Sequence, residues 1–138
     1  GYTGKINHVN NSLIEVLLDK DFVPVISPIA LGEEFEYLNV DGDRAAAQLA
    51  GSMRADKVIF LTDVTGLLID GRLIENLTLG EAKRMLPKIG FGMEKKILAC
   101  TEALELGVGE AIVGSGSREN PISKLLAHQN CTVITAHE

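Results

Sequence analysis

Four short apolar runs constrain what this chain can fold into. FVPVISPIA (22–30), KVIFLT (57–62), EAIVG (110–114) and CTVIT (131–135) are rich in β-branched residues and bounded by Pro, Gly or polar turns. Runs of that kind form strands buried on both faces, which calls for covering layers on either side of a sheet. The segments between them supply the cover. Residues 9–20 place Val9, Leu13, Val16 and Leu17 at helical spacing. Residues 43–55 form a helix with Ala46, Leu49, Ala50 and Met53 as its buried stripe and Asp43 as N-cap. Thr78 with Glu81 three residues later has the spacing of a capping box and opens a helix over 77–88. Residues 92–107 predict a helix that stops at Gly107, and 121–129 a short one. Residues 31–37 predict a loop or an edge hairpin, and Asp70-Gly71 a tight hairpin within 66–76. Strands alternating with helices predict an α/β fold, a mostly parallel sheet between helical layers. Ligands of such folds sit beyond the carboxyl ends of the strands.

The 138 residues suffice for one domain, or for half of a larger one, and an apolar fraction of 46% provides a core. The net charge of −6 argues against general nucleic-acid binding, and the absence of Trp against base-stacking platforms. No apolar run approaches the ~18 residues of a membrane span and no signal peptide is visible, so a cytoplasmic location is expected. Cys100 and Cys131 fit no metal or redox motif and read as buried free thiols.

Three stretches beyond strand ends or at helix starts can carry chemistry. Asp63-Val64-Thr65-Gly66 follows KVIFLT: an acid and a hydroxyl where a nucleotide's ribose and base could bind, or simply a strand-to-hairpin turn. Gly90 and Gly92 open the 92–107 helix, whose first turn holds Lys95 and Lys96. Helix starts favour anions. On a 100° wheel Lys96 lies only about 60° from the apolar stripe, whereas Lys95 points nearly opposite. Lys96 is thus either a phosphate contact or a snorkelling side chain that covers apolar surface. Asn39-Val-Asp41-Gly-Asp43 precedes the Ala-rich helix. It begins like a calcium loop, but Arg44 and Ala50 stand where Gly and Glu are required. Asn39 and Asp43 then read as an amide aimed at a substrate and an acid able to hold lysine ammonium groups, or as a plain capped helix. GYTGKI (1–6) fails as a phosphate-binding P-loop, because Ile6 replaces the Ser or Thr that would hold Mg2+.

In this order, Asn39-Val-Asp-Gly-Asp43, Thr62-Asp-Val-Thr-Gly66 and Gly92-Met-Glu-Lys-Lys96 resemble the C-terminal half of the amino acid kinase family. Tyr2-Thr-Gly-Lys-Ile6, Pro28-Ile-Ala30 and Ser115-Gly-Ser-Arg-Glu-Asn-Pro121 are similar to the branch of acetylglutamate kinases that act on aminoadipate or glutamate held on an amino-group carrier protein. The resemblance implies a three-layer αβα sandwich, carbamate kinase-like, of which this chain is the C-terminal, ATP-binding portion. It implies that Lys96 and Asp43 are catalytic and that Asn39 binds the amino-acid substrate. It implies that Asp63, Val64, Thr65, Gly66, Leu67 and Leu68, with Lys88, Ile89 and Gly90, cradle the nucleotide. Tyr2 and Lys5 are candidates for recognising the carrier, by their position beside the presumed substrate mouth. The implied reaction is transfer of the γ-phosphoryl group of ATP, with Mg2+, to a side-chain carboxylate in lysine or arginine biosynthesis. An acidic carrier protein is the implied partner, and homo-oligomers are expected of the full-length protein. N-acetylglutamate kinase proper, or a non-catalytic binding module, is the alternative. Family members are roughly twice as long, so Gly1 reads as a cut within a kinase, and this piece alone is expected to bind nucleotide weakly without turnover.

Overall fold

The computed structural model describes residues 4–137. Four strands, β3 (Lys57–Thr62), β6 (Asn76–Thr78), β7 (Glu110–Ser115) and β8 (Thr132–Thr135), form one sheet in the order β3-β7-β8-β6. β3 and β7 are parallel, in register from Lys57 opposite Glu110 to Thr62 opposite Ser115, and β6 runs parallel to β8. Helices α2 (Gly42–Ser52), α3 (Leu79–Met85) and α4 (Met93–Glu105) cover one face. Val58, Phe60, Ala111, Val113 and Ile134 point to that face and pack with Ala47, Ala82, Ile97 and Ala103 in the main core. Helix α5 (Pro121–Leu126) covers part of the other face, where Leu125 packs with Ile112, Val133 and Cys131. These are the three layers that the apolar runs call for. Cys100 and Cys131 are buried free thiols.

Local sequence explains the element boundaries. Thr78 and Glu81 form the reciprocal capping box of α3. Asp70 and Gly71, with φ of 49° and 76°, make the tight turn of the hairpin β4–β5 (Leu68–Ile69, Arg72–Leu73). Gly107, with φ of 97°, ends α4.

Several features differ from the sequence expectations. Helix α5 stops at Leu126 rather than 129, because His128 and Asn130 take positive φ. Six helical residues rise only about 9 Å, and the turn that follows brings the chain back, so β8 runs antiparallel to β7. The expected buried strand over 22–30 is also corrected. Only Ile29–Leu31 is strand (β1), paired with Tyr37–Asn39 (β2), while Val23 and Val25 are 86% and 96% exposed. Helix α1 (Ser12–Asp19) starts later than expected and buries none of its residues; Leu13 and Val16 face solvent. The cause is common to both: among the described residues, no layer packs over these segments, and β propensity makes no strand without a neighbour.

Candidate active site

The connections decide where the chemistry gathers. Helix α2 leads into β3 and α4 leads into β7, and the two strands are parallel. The amino ends of both helices therefore stand at the carboxyl end of the sheet, where Asp63 follows β3 and Gly116 follows β7. The N–H of Gly116 donates to the carbonyl of Thr62 at 2.9 Å, which ties these two strand ends together.

At the helix starts, Lys96 meets Asp43. Its Nζ lies 3.0 Å from both Oδ1 and Oδ2 of Asp43. Both side chains are partly buried, at 22% and 26% exposed. The expectation that Asp43 caps α2 is corrected here. The cap is Asp41, whose Oδ1 accepts from the N–H of Arg44 at 2.9 Å. An Asp in extended backbone just before the helix satisfies a free N–H, and Asp43 in the first turn is thereby left to Lys96. The positive end of the α2 dipole and the Lys96 ammonium both attract the Asp43 side chain. One turn along α4, Cys100 is kept protonated, because burial and then the charge of Asp43 push its thiol up.

Asn39 closes β2 four residues before Asp43; its side chain is exposed, and its carbonyl accepts from the N–H of Gly4 at 2.9 Å. Asp63 is exposed, with its Oδ1 accepting from the hydroxyl of Thr62 at 3.2 Å, and Val64, Thr65 and Leu68 are open or half-open beside it. Gly66 is buried: a Cβ there would lie 2.6 Å from the Thr132 hydroxyl and 2.9 Å from Leu73 Cδ1, so no larger residue fits. The side chain of Leu67 belongs to the core, and its N–H donates to Thr132 Oγ1 at 2.8 Å. Thr132 in turn donates to the carbonyl of Ile74 at 2.6 Å. This fully buried hydroxyl anchors both ends of the 67–74 hairpin that follows Asp63. Lys88 and Gly90 are exposed just before α4, while Ile89 is buried between them. Lys95 points away from Asp43 and sits over the ring of Phe91, 5.5 Å from its centroid.

The structure thus brings Asn39, Asp43, Asp63, Lys88 and Lys96 to one end of the fold. Lys5 is exposed and lines a small cleft of about 90 Å3 with Asp41, Arg44 and Gln48. Tyr2 lies outside the described residues. A far larger concavity, about 1160 Å3, opens between the 4–14 and 26–36 segments and α2, where Gly42, Ala45, Ala46 and Leu49 form one wall. Sequence reasoning misses Thr132, because threonine in a strand reads only as a β-former.

A partly buried acid–lysine pair thus stands at paired helix starts, beyond the carboxyl ends of parallel strands, where ligands of α/β folds sit. The chain belongs to the amino acid kinase family, whose model matches residues 1–115. A protein of Nitrosopumilus maritimus, provisionally named as a LysW-aminoadipate/LysW-glutamate kinase, is 61% identical over 97% of this chain. The LysW-aminoadipate/LysW-glutamate kinase of Saccharolobus solfataricus is 44% identical over 97% of it. The chain spans about half the length of these curated relatives (50% and 51%). Among solved structures, N-acetylglutamate synthase from Neisseria gonorrhoeae, complexed with coenzyme A and L-arginine, superposes with a TM-score of 0.91. It is 25% identical, over 99% of this chain and 33% of its own. Carbamate kinase from Giardia lamblia shares the fold, with a TM-score of 0.77 at 22% identity, over 94% of this chain and 45% of its own.

Proposed function

We propose that this chain is the ATP-binding half of a kinase that phosphorylates the side-chain carboxylate of aminoadipate or glutamate carried on an acidic amino-group carrier protein. The observation that carries the reading is the Lys96–Asp43 pair at the start of α4. Phosphoryl transfer needs positioning and positive charge more than a strong base, because an attacking carboxylate is already ionised near neutral pH. Lys96 supplies an ammonium group to the equatorial oxygens of the transferring group. Asp43 holds that ammonium in place, and its own two oxygens leave room for a second cationic donor. Asp63 to Leu68, with Lys88 to Gly90, receive the adenosine part, the 66–68 stretch through its backbone and Asp63 through its carboxylate. Asn39 offers a neutral amide to the amino-acid substrate, and Lys5, with Tyr2, a contact to the carrier.

No group of three or more His, Cys, Asp or Glu side chains able to hold a metal gathers among the described residues. Mg2+ binds characteristically through nucleotide phosphates with one or two carboxylates, and Asp43 and Asp63 are acids at this end of the sheet, with Asp41 and Glu94 at the same helix starts. The metal would neutralise phosphate charge there. On this reading the remaining substrate contacts come from the part of the relatives that this chain does not span. This half alone binds nucleotide and does not turn over.

The test uses the protein spanning both halves, with Mg·ATP and hydroxylamine as trap for an acyl phosphate. Hydroxamate formed on carrier-bound aminoadipate or glutamate supports the reading. ATP hydrolysis without hydroxamate, on every carrier-bound or N-acetylated acid offered, refutes it.

A further inference from the structure

The α2–α4 contact holds a second ion pair that the site does not explain. Arg44, the residue after Asp43, sends its guanidinium to Glu102. Its Nη2 lies 2.7 Å from Oε1 and its Nε 3.1 Å from Oε2, a two-pronged fork. Glu102 stands six residues beyond Lys96 on α4, about 9 Å along the axis. Adjacent residues of α2 thus grip α4 at two levels. The backbone of Arg44 is fixed as well, because its N–H donates to the capping carboxylate of Asp41. At the far end of α2 the helices meet closely: a Cβ on Gly51 would lie 2.5 Å from Leu106 Cβ. Between these ends the facing side chains are small, Ala47 and Ala50 on α2 and Cys100 and Ala103 on α4, all buried in one core. Small faces permit close approach but resist sliding poorly, because they offer few interlocking knobs. The fork at Glu102 supplies the missing restraint.

We infer that Arg44 and Glu102 are positioning residues, which set the register of α2 on α4 and so hold Asp43 opposite Lys96. An exposed ion pair adds little to stability, and Arg44 is half exposed. A forked guanidinium–carboxylate pair nonetheless fixes orientation as well as distance. Loss of the pair should therefore leave the fold standing and loosen the Asp43–Lys96 contact. The catalytic consequence rests on the kinase reading above; the geometric one does not.

Two readouts keep these apart. The first is the 1H–15N correlation of the Lys96 ammonium in this chain, assigned by its loss in Lys96→Arg and visible while the Asp43 contact slows proton exchange. Arg44→Met and the nearly isosteric Glu102→Gln should each broaden or erase it with the circular dichroism spectrum unchanged. The charge swap Arg44→Glu with Glu102→Arg should restore it. The second is kinetics in the protein spanning both halves. Each single variant should lower kcat by ~10- to 100-fold, the order that a misplacement of about 1 Å costs. KM for ATP should hold within about twofold, because the adenosine contacts lie elsewhere, and the swap should regain most of the rate. A Lys96 signal unchanged in both single variants, or lost from them and not regained in the folded swap, overturns the inference whether or not the protein proves to be a kinase.

Discussion

On the proposed kinase reading, Lys96 and Asp43 are the residues on which the chemistry turns, and they fail differently when changed. Lys96→Met removes the ammonium and leaves a stem of similar shape. In the protein spanning both halves it should lower kcat by ~10²–10³, the scale of one lost transition-state donor, with little change in KM for ATP. Asp43→Asn keeps the size and removes the charge that orients Lys96, so kcat should fall by a smaller factor. Steady-state kinetics on the two variants check this order; equal kcat in Lys96→Met and the parent enzyme would remove Lys96 from the mechanism. The wheel position of Lys96 next to the apolar stripe singles it out from Lys95 in the sequence, and the structure separates them the same way, one to Asp43 and the other to Phe91. The role of Asp43 as a cap is not legible correctly, because Asp41 and Asp43 both precede or open the helix. Only backbone angles decide between them, with Asp41 extended at φ −63° and ψ 126°.

At the scale of elements, the hairpin after β3 depends on one buried hydroxyl. Thr132→Val keeps the shape but strands the N–H of Leu67 and the carbonyl of Ile74, both of which Thr132 satisfies. Buried groups left without partners cost about 1–3 kcal/mol each, so a loss of about 2–6 kcal/mol is expected in urea unfolding of this chain. A loss below about 0.5 kcal/mol, the range of an ordinary surface change, would show that the hairpin does not lean on Thr132. At the opposite end of the sheet, Glu110 joins the starts of β3 and β7 to the end of α5. Its Oε1 accepts from Lys57 at 2.7 Å and meets His128 Nε2 at 2.6 Å. Burial pushes this carboxyl up, but the hydrogen bonds from Lys57 and His128 outweigh it and hold the carboxyl below its ordinary 4.5. A depressed carboxyl stabilises the fold above its unfolded pKa, and that contribution is lost as pH falls through the lower folded value. The urea midpoint should therefore drop as pH falls below the ordinary 4.5, and Glu110→Gln should flatten that drop; an equal drop in the variant would contradict the assignment. Strands β3, β7 and β8 and helices α3 and α4 follow closely from apolar runs and caps in the sequence, because each run has its covering layer inside this chain; edge strand β6, inside the stretch read as hairpin and helix, and the antiparallel β7–β8 pairing do not. The segment 9–31 does not, because its pattern is written for neighbours that this chain does not place there.

For the whole molecule, that mismatch leaves a broad apolar surface. Val25, Phe35 and Tyr37 are exposed, as are Leu13 and Val16 of α1, and the likewise exposed Ile26, Ile29 and Leu31 line the 1160 Å3 concavity against α2. Contiguous apolar surface of this kind favours association, so sedimentation should show mass rising with concentration, and a strictly monomeric chain at ~100 µM would contradict it. On the proposed reading, the nucleotide site is the part of a kinase that this chain holds by itself. Isothermal titration of the chain with Mg·ADP tests that claim most directly. The account predicts a Kd between about 1 µM and 1 mM, weakened at least about tenfold in Asp63→Ala. No heat from a chain that is folded by circular dichroism, or binding that Asp63→Ala leaves unchanged, would contradict it.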